Sequence, residues 1–101
     1  MIVTKKIYKY NLGLPERMNK EITIEGTFLR VLSIQQQGYE VMMWAEIDTD
    51  STIAQTIHIK SVWTGDNAPE SEYEYVNTIQ ANFDGLVYHF YVCNPYNHFD
   101  V

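Results

Sequence analysis

Seven residues stand where binding chemistry could be done. Arg30, His58 and Lys60 carry or can carry positive charge, Trp63 and Tyr75 offer flat rings, and Thr64-Gly65 opens the polar break in "IHIKSVWTGDNAPE", residues 57–70. Guanidinium and ammonium groups hold phosphates as charge-assisted donors, and the amides of a glycine turn can cradle an anion. Aromatic rings stack on bases or anchor a partner. Convergence of these residues would make a small cationic site beside aromatic stackers, suited to a nucleotide.

Catalytic and metal chemistries fit less well. His89, Cys93, His98 and Asp100 are close in sequence. At ~3.3 Å per strand residue, however, His89 and Cys93 lie about 13 Å apart, too far to share one zinc. No serine sits in a nucleophile-elbow pattern, and nothing beside Cys93 would lower its pKa. Asp48 with Asp50, and Glu72 with Glu74, fall in or beside polar loops and read as solvated faces. Gly65 stands alone, without a phosphate-binding glycine-rich loop. The expectation is a non-enzyme that needs no metal and no cofactor.

Extended chain must position these groups. Hydrophobicity alternates with period two almost throughout. In "VTKKIYKY", Lys5, Ile7 and Lys9 face away from Lys6, Tyr8 and Tyr10. "KEITIEG" places Ile22 and Ile24 together and stops at Gly26. "FLRVLSIQQQ" sets Arg30, Leu32 and Ile34 against Leu29 and Val31. After Gly38, "YEVMMWAEID" sets Val41, Met43, Ala45 and Ile47 against Met42, Trp44 and Glu46. The two runs around "QQGY" predict a hairpin. Trp44 is expected to fill the core beside Met42, whereas Trp63 divides between rim packing and ligand contact.

"AQTIHIKSVW" predicts a fifth strand, with Ile57, Ile59 and Trp63 opposite His58, Lys60 and Val62. "YEYVNTIQA" and "LVYHFYV" predict two more, joined at "NFDG". A single turn of helix could follow Pro15, and residues 94–101 read as an irregular tail. The sum is an all-β fold: one small domain over 1–101, with six to seven mostly antiparallel strands, largely a meander, as a sandwich or barrel-like body.

Composition sets outer limits. The chain has 101 residues, 46% hydrophobic and 14% aromatic, which suits one folded domain. Thirteen acids against seven Lys and Arg give a net charge of −6. That opposes general nucleic-acid binding, which needs a basic face. The cations gather in the first 30 residues, the acids at 40–50 and 66–74. The single cysteine, Cys93, permits no internal disulfide and is expected as a half-buried small hydrophobe near a strand end. No apolar run approaches the ~18–20 residues of a membrane helix, and no secretory signal is evident, so a cytoplasmic protein without membrane contact is expected.

Tyr8-Lys9-Tyr10, Gln35 and Gln37, Trp44-Ala45 with Asp48, Thr64-Gly65, and Tyr88-His89 occur in an order that resembles a family of short phage and prophage proteins, catalogued as a domain of unknown function. The likeness runs to about Val92, although the family pattern has glycine where this chain has Trp63. The resemblance implies a viral protein and a β fold, without established catalytic residues. With the candidate site it suggests a homo-oligomeric counter-defence protein that captures a nucleotide signal, of cyclic-nucleotide or cyclic ADP-ribose type, without cleaving it. Two alternatives remain. One is an inhibitor that presents Glu70, Glu72, Glu74, Asp48 and Asp50 to a host defence protein; the other is a minor virion protein.

Overall fold

β-branched and aromatic residues at alternate positions suit a pleated surface with one wet face, and they form strands wherever glycine or a polar cluster does not interrupt. The computed structural model describes residues 4–95. Its strands are β1 (Lys5–Gly13), β2 (Asn19–Glu25), β3 (Thr27–Gln37), β4 (Glu40–Asp48), β5 (Ala54–Trp63), β6 (Glu74–Gln80) and β7 (Val87–Cys93). They form two antiparallel sheets, ordered β1-β4-β3 and β2-β5-β7-β6. No helix among the described residues is long and apolar enough to cross a membrane.

The expected meander is not what forms. Only β3–β4 and β6–β7 pair with their sequence neighbours; β5 and β6 share a sheet without pairing, and at β1–β2, β2–β3 and β4–β5 the chain leaves one sheet for the other. The inner residues of β4 (Val41, Met43, Ala45, Ile47) meet Ile57 and Ile59 of β5 and Tyr88 and Phe90 of β7 in one buried core, closed by Ile24, Phe28 and Ile34. Ladder pairing alone could have been satisfied in a single wide sheet. Folding into two layers buries these side chains away from water, the Val, Ile, Met and Phe among them contributing about 1.5–3 kcal/mol each.

Gly26 makes the hardest of these sheet changes. It lies between β2 of one sheet and β3 of the other with φ +112°, and its N–H donates to the Ile53 carbonyl at 2.7 Å. A Cβ there would stand 2.6 Å from the Asp48 carbonyl oxygen. Only glycine satisfies both the backbone angle and the approach.

Beyond this corner β3 crosses the second sheet, held by side-chain amides in place of ladder bonds. Phe28 N–H donates to Gln55 Oε1 of β5 at 2.9 Å. Further along, Asn77 of β6 grips Ile34 from both sides: Oδ1 accepts its N–H at 3.2 Å, and Nδ2 donates to its carbonyl at 2.6 Å. One amide thus imitates a strand at the β3–β6 seam. The crossing needs curvature, and β3 supplies it with two bulges, between Phe28/Arg30 and Val31/Ser33. These break the alternation read from the sequence. Leu32 is exposed while Ile34 is buried, so the two do not share a face.

Two further expectations are corrected. Trp44 is half-buried on the outer side of β4, opposite Lys9 and Ser33, because Met43 and Ala45 take the core side. The stretch after Pro15 holds bends, not a helical turn. There the buried Ser61 hydroxyl donates to the Glu16 carbonyl at 2.5 Å and accepts Met18 N–H at 2.9 Å, fixing the backbone from outside. The hairpin at Gly38 forms as expected, with Gln37 facing Glu40 and φ +64° at Gly38. Residues 96–101 of the expected tail lie outside the described residues.

Gly26→Ala combines strain with a backbone collision, so it should destabilise by at least about 1–3 kcal/mol. Thermal unfolding would show a lower midpoint, or no folded protein. Asn77→Ala leaves both Ile34 backbone groups without their partner and should cost about 1–3 kcal/mol. Chemical denaturation measures it, and a change below a few tenths would contradict the seam described.

Candidate functional site

Strand β5 points Ile57 and Ile59 into the core, so His58 and Lys60 face out of the four-stranded sheet. Across the ladder, His58 lies beside Cys93, and Lys60 beside Tyr91, whose other neighbour is Tyr75. Tyr75 and Tyr91 meet edge to face at 5.6 Å. β5 and β6 both run antiparallel to β7, hence parallel to each other, so their connection must return along the sheet. The returning segment brings Glu70 and Tyr73 onto Lys60. The ammonium contacts both Glu70 oxygens, at 2.9 and 3.2 Å, and stands 4.8 Å from the Tyr73 ring centre.

Those contacts set the charge of the face. The Glu70 hydrogen bond raises the Lys60 pKa above its ordinary value and holds the Glu70 carboxyl below its own. Burial is the main cause that raises the Tyr73 phenol and the Cys93 thiol. Cys93 is buried, with its thiol shifted away from reactivity. His58 Nδ1 lies 3.7 Å from Glu21 Oε1. His58, Lys60, Glu70, Glu72, Tyr73, Cys93 and Pro95 line an open groove of about 640 Å³.

The Trp63-Thr64-Gly65 break is a closed turn. Asp66 N–H donates to the Trp63 carbonyl at 3.1 Å, and Gly65, third of the four residues, has φ +94°. The Asp66 carboxylate accepts Trp63 N–H at 2.8 Å and Arg17 Nη2 at 3.0 Å. The Arg17 guanidinium lies 3.8 Å from the Trp63 ring centre, and Tyr88 meets that ring edge-on at 6.4 Å. Trp63 is partly buried and packed against the core. Its ring is occupied by the chain's own groups.

Thr64 joins a different network. Its hydroxyl lies 2.8 Å from His89 Nε2; His89 Nδ1 lies 2.9 Å from Thr78 Oγ1, itself 2.7 Å from the Tyr75 hydroxyl. Four residues on three elements thus share one hydrogen-bonded line over the outer face. It contains no carboxylate to orient the imidazole as a base, so it reads as a scaffold for Tyr75.

Arg30 does not join His58 and Lys60. It projects from β3 of the other sheet, 67% exposed, with Nε 3.5 Å from Glu46 Oε1. It borders a wedge of about 240 Å³ between β3 and the β6–β7 end, lined also by Leu29, Leu32, Glu72, Glu74 and Tyr75. Tyr75 therefore links wedge and face, and Glu72 borders both wedge and groove. His58 and Lys60 share the groove, but Arg30 stands apart because β3 belongs to the other sheet, and Arg30 and Lys60 each lie against a carboxylate.

Arg17 and Tyr73 were not among the candidates from sequence; His89 was considered there only as a metal ligand, and Glu72 only as a solvated acid or part of an acidic surface. Arg17 lies 46 residues from the ring it covers, and nothing in the sequence records that. "ESEYEY" does alternate acid and aromatic, a visible signal that the segment has an acidic side and a ring side. Of the zinc candidates, His98 and Asp100 lie outside the described residues. Among the described residues, no group of three His, Cys, Asp or Glu is placed to hold a metal ion.

A family model described as a domain of unknown function, DUF7352, matches residues 3–98. The chain belongs to that family. No curated protein and no solved structure matches it. Membership in DUF7352 brings no activity with it, so the chemistry of the site rests on the contacts above.

The Lys60–Glu70 pair gives a pH expectation. Its stabilisation is complete between the two unfolded pKa values. It is lost as pH falls through the lowered Glu70 value and as pH rises through the raised Lys60 value. Glu70→Gln should therefore flatten the acid limb of a stability–pH profile, by a small amount because Glu70 is largely solvated. Denaturation midpoints from acid to neutral pH test this; an unchanged acid limb would assign it elsewhere.

Proposed function

We propose that this chain is a non-catalytic binding protein that engages a basic protein surface through the ridge Glu70, Glu72 and Glu74. The observation that carries the reading is that Arg17, Arg30 and Lys60 each lie against a carboxylate of the same chain. A phosphate entering the groove would displace Glu70 and then face Glu72. A cationic side chain would meet Glu72 and Glu74 exposed, with Tyr75 beside them. Charge complementarity of this kind sets association rate and selectivity. With the phage origin that the resemblance implies, the reading is an inhibitor acting in the host cytoplasm on a defence protein with a basic groove.

One observation favours nucleotide capture as a second reading. His58 and Lys60 do share a groove with Tyr73, and Tyr75 and Tyr91 continue the aromatic row. A ligand there would stack on tyrosine while Lys60 exchanges Glu70 for phosphate.

Affinity capture of the tagged chain from host cells, at low and high salt, separates the two. A protein partner retained at low salt should be lost at high salt, and lost also when Glu70, Glu72 and Glu74 are changed to lysine. Thermal shift against cyclic oligonucleotides, ADP-ribose derivatives and ATP should give no change. A melting temperature that climbs with nucleotide, alongside capture indifferent to the three glutamates, would replace the first reading by the second.

A further inference from the structure

We propose that the free edge of β1 receives an extended strand from an acidic partner protein, by β-sheet addition. Among the described residues β1 pairs with β4 on one side and with no strand on the other. Its nine residues, Lys5–Gly13, are long for an uncovered edge; Lys20 Nζ takes the Leu12 carbonyl and Asn11 Oδ1 the Gly13 N–H, so it is the stretch before Leu12 that offers backbone donors and acceptors to a partner.

The side chains specify which strand. Lys5, Lys6 and Lys9 are three of only seven Lys and Arg in a chain of net charge −6, so positive charge is concentrated on this edge. None of them makes an ion pair among the described residues; Lys9 Nζ donates to Gln37 Oε1 at 3.0 Å. Between them, Ile7 is 60% exposed on the outer face and Tyr8 is 41% exposed on the inner one. A strand laid alongside would cover both, with acids opposite the lysines and apolar residues opposite Ile7 and Tyr8. Opposite-charge and aromatic cross-strand pairs each favour pairing, while like charges oppose it.

That last rule excludes the simplest occupant. Antiparallel pairing of two β1 strands about Ile7 would set Lys5 against Lys9 twice. The lysines thus discourage self-association, as edge lysines do generally, but a purely protective edge would not leave Ile7 and Tyr8 uncovered between them. The edge is separate from the Glu70–Glu74 ridge and does not rest on the function proposed there.

A synthetic peptide alternating glutamate with valine serves as probe, with a lysine–valine peptide as its counterpart, in hydrogen–deuterium exchange on the full chain. The glutamate peptide should slow exchange of β1 amides about tenfold or more, reversibly by salt, and the lysine peptide should not. Changing Lys5, Lys6 and Lys9 to glutamate should exchange the two preferences. These are exposed positions, so an unchanged melting temperature will confirm the fold. Protection confined to other strands, or binding indifferent to the charge reversal, would overturn the proposal. So would β1 protection that grows with protein concentration alone, since the occupant would then be a second copy.

Discussion

The architecture depends on a backbone approach at Gly26. For β2 and β3 to lie in different sheets without an intervening loop, the chain must bend within one residue, against the end of β4. The carbonyl of Asp48 fills the space a side chain would need. Once the corner is set, β3 starts at β5 and is carried across the second sheet toward β6. Gln55 and Asn77 then supply, from side chains, the hydrogen bonds that a crossing strand cannot find in a ladder. Bulges in β3 and the wedge beside Arg30 follow from that crossing.

Much of this was legible in the residues. Alternation located β5 from Ala54 to Trp63 and separated the two faces of β4, without saying which was inner, because a sheet with one wet face writes its orientation into every second position. The Gly38 hairpin was legible for the same local reason. Leu32 was misassigned because a bulge inserts a residue without changing composition. Trp44 was misassigned because size alone suggests burial, whereas its parity with Met42 and Glu46 put it outside. Strand order was not legible, since alternation names the faces of a strand and not its neighbours.

The candidate site was partly legible. His58 and Lys60 do share a solvent-facing groove, and Thr64 and Tyr75 are joined through His89. What sequence could not supply was the neutralising partner of each cation. Glu70 returns over Lys60 only because β5 and β6 are parallel, and Asp66 can hold Arg17 only because Gly65 turns the chain back on Trp63. Electrostatic character here belongs to pairs brought together by topology. A count of positive residues along the sequence therefore overstates the affinity of this face for phosphate.

The position of β7 has a consequence for how the molecule comes into being. This strand, the last in sequence among those described, lies inside its sheet between β5 and β6. During synthesis the other two must remain with facing edges unfilled until β7 leaves the ribosome. The core side chains Tyr88 and Phe90 arrive with it. Such distant pairing is slow, on the order of milliseconds to seconds in β-rich domains. The nascent chain thus passes through an interval in which six strands, whose core still lacks Tyr88 and Phe90, are exposed to the cell. Folding is completed by insertion from the C-terminal side, so the molecule's vulnerability to aggregation or proteolysis is concentrated before that event.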